Sequence, residues 1–115
     1  MTNYKKHLSE PWFTLVLLGI KTIEGRLDKG SFKEMSVGDI ITFYNHDAIY
    51  REVTVKIVSI KKYIDFETYL RKETLKKCLP GYTRVSDGIN LYYKYFNKED
   101  EKKFNIKAFS IELLK

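Results

Sequence analysis

The 115-residue chain is poor in cysteine, in proline and in long apolar runs. Its one cysteine, Cys78, excludes an internal disulfide, and a lone thiol fits a reducing compartment, so we expect a cytoplasmic protein. The best apolar run, residues 12–20, is shorter than the roughly 20 apolar residues that cross a bilayer, so we expect no membrane partner. Without a low-complexity tract or a solenoid repeat, residues 1–115 are expected to form a single domain.

Residues that bind metals or serve as nucleophiles are also scarce. No paired His, Cys or carboxylate spacing occurs, so we expect no metal and no cofactor. His46 is followed by Asp47, but no serine is placed to complete a Ser-His-Asp triad. His7 lies in a polar start, residues 1–9, which we expect to be poorly ordered.

Basic and aromatic residues are plentiful instead. The formal net charge is +6, the sequence pI is about 9.3, and aromatic residues make up 15% of the chain. A basic excess attracts phosphates, which makes RNA or a nucleotide-like ligand a reasonable partner. The alternative is a lysine-rich composition without such a role, since many lysines alternate with acidic residues, as in residues 98–103.

Hydrophobic residues recur at helical spacing in three segments. The first follows Ser9, a predicted N-cap, and ends at Gly19 in a left-handed turn. The second covers residues 65–78 with Asp65 as its cap, and the third is capped by Ser86. A charged turn is predicted to begin at Asn97 or Lys98 and to run to about Lys103. The apolar faces are Trp12, Leu15 and Val16; Phe66, Tyr69 and Leu70; and Ile89, Tyr92, Tyr93 and Phe96.

Alternating or apolar runs predict strands at residues 22–27, 40–44 and 108–113, and a long strand around residues 53–58. Residues 45–48 are predicted to form a hairpin loop. Strands with helices inserted between them favour an α+β fold with an antiparallel or mixed barrel, and argue against βαβ units.

The motif Gly19-x-Lys21-x-x-Glu24-x-Arg26 stands between the first helix and the first strand. Alternation places Thr22, Glu24 and Arg26 on one face of that strand, with Lys21 at the turn beside them. A cation, a carboxylate and a second cation are thus expected close together, where they can bind a polar ligand and shift one another's pKa values. The alternative is an ordinary surface salt-bridge group.

Residues 11–13, the motif at 19–26, the Val-Gly-Asp strand at 37–43 and the charged segment 97–104 resemble ASCH domains over nearly the whole chain. That family is defined largely by a Gly-x-Lys-x-x-Glu-x-Arg signature. The resemblance implies a PUA-like β-barrel whose helices flank a cleft lined by the charged signature residues. It also implies binding of RNA, or action on RNA or a nucleotide-like ligand.

Carried over by position, Lys21, Glu24 and Arg26 are the predicted site. Lys21 would bind a phosphate or act as a base, and Glu24 would accept hydrogen bonds from a base edge or transfer a proton. Arg26 would bind a phosphate or hold Glu24 in place. The predicted ligand-binding residues also include Thr22, together with Trp12 and Tyr93.

Two of these residues are aromatic, and each has a second interpretation. Tyr93 or its neighbour Tyr95 would stack on a base, whereas Tyr92 and Phe96 have the spacing of a core stripe. Trp12 is either a core anchor or a platform for the ligand.

The alternative function is a small hydrolase that uses Lys21 and Glu24. Some small ASCH proteins resemble amidohydrolases that deacylate acetylated cytidine with a lysine, a threonine nucleophile and a glutamate. Lys21 matches that lysine, but Glu24 stands where the threonine is needed, and only Glu67 and Glu73 offer the further glutamate. Other members look like ribonucleases, for which Lys21 could act with one of four tyrosines: Tyr44, Tyr82, Tyr92 and Tyr93.

Overall fold

The computed structural model describes residues 1–114, which fold into a curled five-stranded half-barrel with helices packed against it. The predicted α+β class is confirmed, and so is the arrangement of helices beside a barrel-like sheet. In chain order, the elements are β1 (Asn3–His7), α1 (Trp12–Leu17), β2 (Ile23–Leu27), α2 (Ser31–Glu34), β3 (Ile40–Asn45), β4 (Arg51–Tyr63), α3 (Phe66–Glu73), α4 (Leu75–Cys78), α5 (Val85–Tyr95), α6 (Lys98–Phe104) and β5 (Ile106–Leu113).

The strand order in the sheet is β1-β3-β4-β5-β2. β1 runs parallel to β3, and every other neighbouring pair is antiparallel. The 13-residue β4 is longer than predicted and pairs with both β3 and β5, with a register shift between Ile57 and Ser59. Such an irregularity bends a strand, which fits the curl of the sheet.

Alternation along β3 and β4 builds the core. On β4, Val53, Val55 and Ile57 are buried, whereas Glu52, Lys56 and Val58 between and beside them are exposed. Ile41 and Phe43 on β3 face the same core. Helices cover it with buried residues from α1 and α3: Phe13, Val16, Phe66, Tyr69 and Leu70.

The expectation that residues 1–9 are poorly ordered was wrong, because β1 forms there. Two hydrogen bonds extend its docking on β3: Leu8 N donates to Tyr44 O over 3.0 Å, and Asn45 Nδ2 donates to Leu8 O over 3.0 Å. Asn45 is fully buried by this arrangement, although it was predicted to lie in a loop. A polar edge strand carries little local signal, and its partner lies about 37 residues away in the chain.

Two predicted helix ends are confirmed, and a predicted turn is a helix. Asp65 caps α3 by accepting from Thr68 N over 2.7 Å. The segment predicted as a charged turn from Asn97 or Lys98 forms α6, which Asn97 caps by accepting from Asp100 N over 2.8 Å. Gly19 follows α1 with φ +76°, the left-handed turn that its sequence position predicted.

Three helix predictions were wrong. Residues 65–78 do not form one helix, because Thr74 adopts φ +79° and separates α3 from α4. Ser86 does not cap α5, which begins at Val85 without a side-chain cap. Ser9 does not cap α1; instead the Glu10 carboxylate accepts from Thr14 N and Thr14 Oγ1, at 2.9 and 2.7 Å.

Within residues 1–114, no helix is long and apolar enough to cross a membrane.

Candidate functional site

Lys21 lies almost completely buried at the junction between α1 and β2, where its side chain is 1% exposed. The ammonium donates to Ile23 O over 2.6 Å and to Cys78 O, and it forms an ion pair with Glu24 Oε1 at 3.3 Å. A lysine ammonium has three N–H donors, so these three acceptors account for all of them. Lys21 therefore has no N–H left over for a ligand.

The local chain path explains why Lys21 points inward. After Gly19, Ile20 N and Lys21 N both donate to Leu15 O, at 2.9 and 3.0 Å, which folds the chain back against the end of α1. Thr22 N then donates to Lys77 O over 3.1 Å, which joins this turn to α4. The carbonyl of Cys78 at the end of α4 is thereby brought over the Lys21 ammonium.

Glu24 is held between the two cations of the motif. Its Oε1 faces Lys21 Nζ, and its Oε2 accepts from Arg26 Nε and lies 2.9 Å from Arg26 Nη2. Burial by itself raises the pKa of Glu24, but the charges and hydrogen bonds of Arg26 and Lys21 outweigh it and hold this pKa below 4.5. The carboxylate is therefore ionised at neutral pH, although only 6% of its side chain is exposed.

Arg26 forms the solvent-facing side of the cluster, with 21% of its side chain exposed. Its guanidinium lies 4.9 Å from the ring centre of Phe32, and Nη2 also approaches His7 O at 3.4 Å. Within residues 1–114, its Nη1 has no hydrogen-bond partner. Arg26 thus connects β2 to β1 and keeps donors that face outward.

These three residues form the floor of a cleft of about 350 Å³. One wall comes from α1 and the end of β1, and the other comes from α5 and the segment after α4. The lining is mostly apolar and aromatic around this charged floor, as is usual for small-molecule sites. It consists of His7, Leu8, Ser9, Trp12, Lys21, Glu24, Gly25, Arg26, Leu79, Leu91, Tyr92, Tyr95 and Phe96.

The aromatic rings that line the cleft differ in how deeply they are buried. Trp12 is buried, and the Lys21 ammonium lies 5.8 Å from its ring centre. Tyr92 is also buried, stacks on Phe66 with ring centres 4.5 Å apart, and shares a 3.1 Å hydrogen bond with Tyr69. Tyr95, in contrast, is 58% exposed at the edge of the cleft. The inner rings are therefore fixed by packing, and the outer one is open to a ligand.

Gly25 is required by the same packing. A Cβ atom at this position would overlap the ring of Tyr69, a fully buried residue of α3. The absence of a side chain lets the strand lie directly on that ring, which sets the depth of Glu24 and Arg26 in the cleft. Burial raises the pKa of the Tyr69 hydroxyl well above 10, so it remains neutral behind the floor.

The structure brings together four of the predicted site residues, namely Lys21, Glu24, Arg26 and Trp12. The alternative of a surface salt-bridge group was wrong, because Lys21 and Glu24 are buried. Thr22 lies outside the cleft lining. Tyr93 does as well, and its hydroxyl donates to Glu101 Oε1 over 2.6 Å on another side of α5.

Residues outside the predicted site complete the lining, although Tyr95 was an alternative for stacking on a base and Tyr92 one of four tyrosines considered for a ribonuclease. Tyr92, Tyr95 and Phe96 have the i, i+3, i+4 spacing of one helix face, so the helical phase contained a usable signal. His7, Leu8 and Ser9 gave none, because β1 was not predicted and its neighbour in space is distant in the chain.

Of the further groups considered for a hydrolase, Tyr92 lines the cleft, whereas the glutamates and the other three tyrosines do not. Glu67 pairs with Arg71 at 3.0 Å on the surface, and the Glu73 carboxylate accepts from the Tyr63 hydroxyl at 2.5 Å. Neither glutamate lines the cleft. Cys78 is buried, and burial raises the pKa of its thiol to about 11, which leaves it protonated at neutral pH.

Comparison with known proteins shows the family and the fold. No curated protein sequence matches the chain significantly. Among solved structures, hypothetical protein PH0355 is 31% identical with a TM-score of 0.88, and the match covers 97% of this chain and 99% of that one.

Protein PF0455 from Pyrococcus furiosus, solved by NMR, is 32% identical with a TM-score of 0.81, and 98% of each chain is covered. A mutant of ZmASCH from Zymomonas mobilis shares the fold at 14% identity and a TM-score of 0.66, with 94% of this chain and 66% of that one covered. The sequence model of the ASCH domain matches residues 7–115, so the chain belongs to the ASCH domain family.

Proposed function

We propose that this ASCH domain binds RNA by receiving one nucleobase in the cleft above Glu24. The observation that carries the proposal is an ionised, buried carboxylate at the bottom of a cleft walled by aromatic rings. ASCH domains generally bind RNA, which supports the choice of ligand class. The volume of about 350 Å³ lies within the range of roughly 300–1,000 Å³ that small-ligand sites occupy.

The carboxylate of Glu24 supplies the acceptor. A carboxylate offers about four lone-pair positions, and the donors of Lys21 and Arg26 use three of them. One position remains for an N–H group of a ligand, and it lies on Oε1, the oxygen paired only with Lys21. A nucleobase presents such donors on its Watson–Crick edge.

Arg26 supplies a donor in the same cleft. Its Nη1 faces no partner within residues 1–114, and its side chain is partly exposed at the cleft. A cleft that offers both a donor and an acceptor complements the mixed pattern of a nucleobase edge, whereas a bare phosphate needs donors only. The pairing of Glu24 with Arg26 therefore favours a base over a phosphate at the floor.

Aromatic walls supply the remaining recognition. Trp12 and Phe96 line the cleft, and Tyr95 is exposed at its edge. Stacking on such rings tolerates every base and is a main source of affinity for single-stranded RNA. In this arrangement, Lys21 is a positioning residue that keeps Glu24 charged and correctly oriented.

The hydrolase alternative has less support. A general base needs a pKa near the working pH, whereas the pKa of Glu24 is held below 4.5. Lys21 has its three donors directed at protein acceptors, and neither Glu67 nor Glu73 lines the cleft. Turnover of labelled RNA or of acetylated cytidine, abolished by Glu24→Gln, would favour the hydrolase instead.

The proposal is tested by titrating each of the four ribonucleoside 5′-monophosphates into the wild-type chain and into Glu24→Gln. We expect at least one mononucleotide to bind, and Glu24→Gln to weaken it by about tenfold or more, since a charged acceptor is replaced by a neutral amide. The exposed pair Glu67–Arg71 gives the control Glu67→Gln, which should bind normally.

Because Glu24→Gln alters a buried ion pair, a second variant separates binding from folding. Tyr95→Ala removes a ring that is 58% exposed, so we expect the wild-type melting temperature together with weaker mononucleotide binding. The proposal would be contradicted if no mononucleotide bound, or if neither Glu24→Gln nor Tyr95→Ala changed the affinity of any of them.

A further inference from the structure

A second aromatic surface lies beside the cleft, on the outer face of the sheet near the β1 edge. We call it the edge platform and define it by Lys5, His7, Tyr44, His46 and Tyr50. The rings of His46 and Tyr44 are nearly parallel, 20° apart with centres at 6.0 Å, and those of Tyr44 and Tyr50 are 24° apart with centres at 6.2 Å. The outer two rings are exposed, which leaves the array accessible to other planar groups.

Strand register explains how the array forms. His7 is paired with Tyr44 across β1 and β3, and Tyr44 is paired with Glu52 across β3 and β4. Residues opposite one another in paired strands share a face, so these three side chains form one row. The turn between β3 and β4 then places His46 and Tyr50 next to Tyr44. The neighbouring core residues Phe43 and Val53 point to the other face and are buried.

The edge platform is continuous with the cleft through His7. The imidazole lies 5.4 Å from the Tyr44 ring centre in an edge-on contact and 5.8 Å from that of His46. The same residue lines the cleft, and its carbonyl faces Arg26 Nη2 at 3.4 Å. His7 therefore contacts both sites, the cleft through its carbonyl and Tyr44 through its imidazole.

The edge platform carries one ion pair, so its own net charge is close to zero. Lys5 Nζ lies 5.6 and 5.3 Å from the ring centres of Tyr44 and Tyr50, so its ammonium stands over the array. Glu52 is the opposing charge: it lies 3.1 Å from Lys5 and accepts a hydrogen bond from the Tyr50 hydroxyl. Because the ion pair is nearly neutral, we expect the edge platform to bind bases by stacking on its rings. The net charge of +6 of the whole chain would attract the phosphates.

We propose that the edge platform binds the nucleotides next to the one in the cleft, by stacking their bases on Tyr50 and His46, so that the ligand is a single-stranded RNA segment. This inference rests on the proposed function of the cleft. It adds the direction in which the strand leaves and the preference for an oligomer over a mononucleotide. Such platforms combine aromatic rings with a positive field and tolerate any base sequence.

The experiment compares a mononucleotide with a labelled, mixed-sequence single-stranded RNA about eight nucleotides long, a length within the range of such platforms. We expect wild type to bind the oligomer more tightly than any mononucleotide. Tyr50→Ala and His46→Ala should each weaken oligomer binding by about tenfold, as expected for the loss of one stacked base, and should leave mononucleotide binding unchanged.

Tyr50→Phe is the matched control. It keeps the ring and the contact with Lys5 and removes only the hydroxyl that bonds Glu52, so oligomer binding should remain close to wild type. If Tyr50→Ala bound the oligomer as tightly as wild type, or if wild type gained nothing from the longer ligand, the edge platform would be rejected. Failure of the cleft proposal is a different result: the mononucleotide assay with Glu24→Gln would show it, whatever the oligomer does.

Discussion

Two Lys–Glu pairs of nearly equal length occupy very different environments in this domain. In the cleft floor, Lys21 and Glu24 are 3.3 Å apart with side chains 1% and 6% exposed. On the edge platform, Lys5 and Glu52 are 3.1 Å apart with side chains 58% and 42% exposed. The chemistry is the same, so the difference isolates what burial adds.

Burial makes the floor pair depend on all of its partners. Charges removed from water need both their counter-ion and further hydrogen bonds, and the floor supplies two backbone carbonyls to Lys21 and the guanidinium of Arg26 to Glu24. The exposed pair keeps its water and can lose one member at little cost. The buried pair therefore holds the Glu24 carboxylate in one position for a ligand, whereas the exposed pair changes only the charge of the surface.

The largest expected difference is in stability. Lys21→Met leaves Glu24 buried with one cation instead of two, and we expect the free energy of unfolding to fall by about 3–5 kcal/mol, the usual result of breaking a buried pair. Lys5→Met should leave the urea midpoint within error. Urea unfolding followed by tryptophan fluorescence measures both variants. Equal midpoints for the two would show that burial adds nothing here.

Ligand affinity should show the next largest difference. Arg26→Lys keeps the charge but loses the planar fork that holds Glu24 Oε2 and faces the cleft, so mononucleotide binding should weaken by about tenfold. Arg71→Lys changes an exposed arginine that contacts Glu67, and it should bind as wild type does. Calorimetric titration of both variants with the same mononucleotide gives the comparison. Arg26 would have no role in binding if the two affinities agreed.

The two glutamates should differ less in how they affect stability at acid pH. The pKa of Glu24 is lower in the folded chain than its ordinary value of 4.5, so its contribution to stability is complete above about pH 4.5 and is lost as the pH falls through the folded value. Glu24→Gln removes this loss, so its free energy of unfolding should change less steeply between neutral and acid pH.

Glu52→Gln provides the exposed counterpart of that measurement. The pKa of Glu52 is also lowered, by hydrogen bonds from Tyr50 and Lys5, but solvent screens it, so the acid slope should stay near wild type and approach it further with added salt. A slope for Glu24→Gln as steep as that for Glu52→Gln would mean that the buried carboxylate is not held ionised by its neighbours.

The smallest effect expected is in the salt dependence of oligomer binding. If Lys5 approaches a phosphate of a stacked strand, Lys5→Met should reduce the slope of log affinity against log salt by about 0.7, the value for one single-strand contact. Lys56→Met, on the same face but away from the rings, is the control for general charge loss. Equal slopes for both variants would place the phosphates away from Lys5.

The sequence predicted much of the floor because local rules govern it. Strand alternation places Glu24 and Arg26 together, and the helix end at Gly19 places Lys21 beside them. Both statements need only a few consecutive residues. Burial of Lys21 could not be predicted in this way, since one of its acceptors, the carbonyl of Cys78, lies 57 residues further along the chain.

The walls and the edge platform depend on tertiary pairing. β1 is polar and short, so nothing local marks it as a strand until β3 is beside it. The break at Thr74 is also not marked by a glycine or a proline, although it sets where α4 presents the Cys78 carbonyl. The predicted site includes Tyr93 and not Tyr95, because helical spacing alone does not show which face of α5 turns toward the cleft. That face depends on how α5 packs on α3.

The satisfied ammonium of Lys21 also has a consequence for chemical probing of this lysine-rich chain. Amine-reactive reagents need an accessible, deprotonated nitrogen, and Lys21 is buried with each N–H occupied. Acylating labels and lysine-directed crosslinkers should therefore mark the surface around Lys5 and leave the floor of the cleft unlabelled. Lys21 would therefore remain unlabelled in the folded domain, and its labelling would report unfolding.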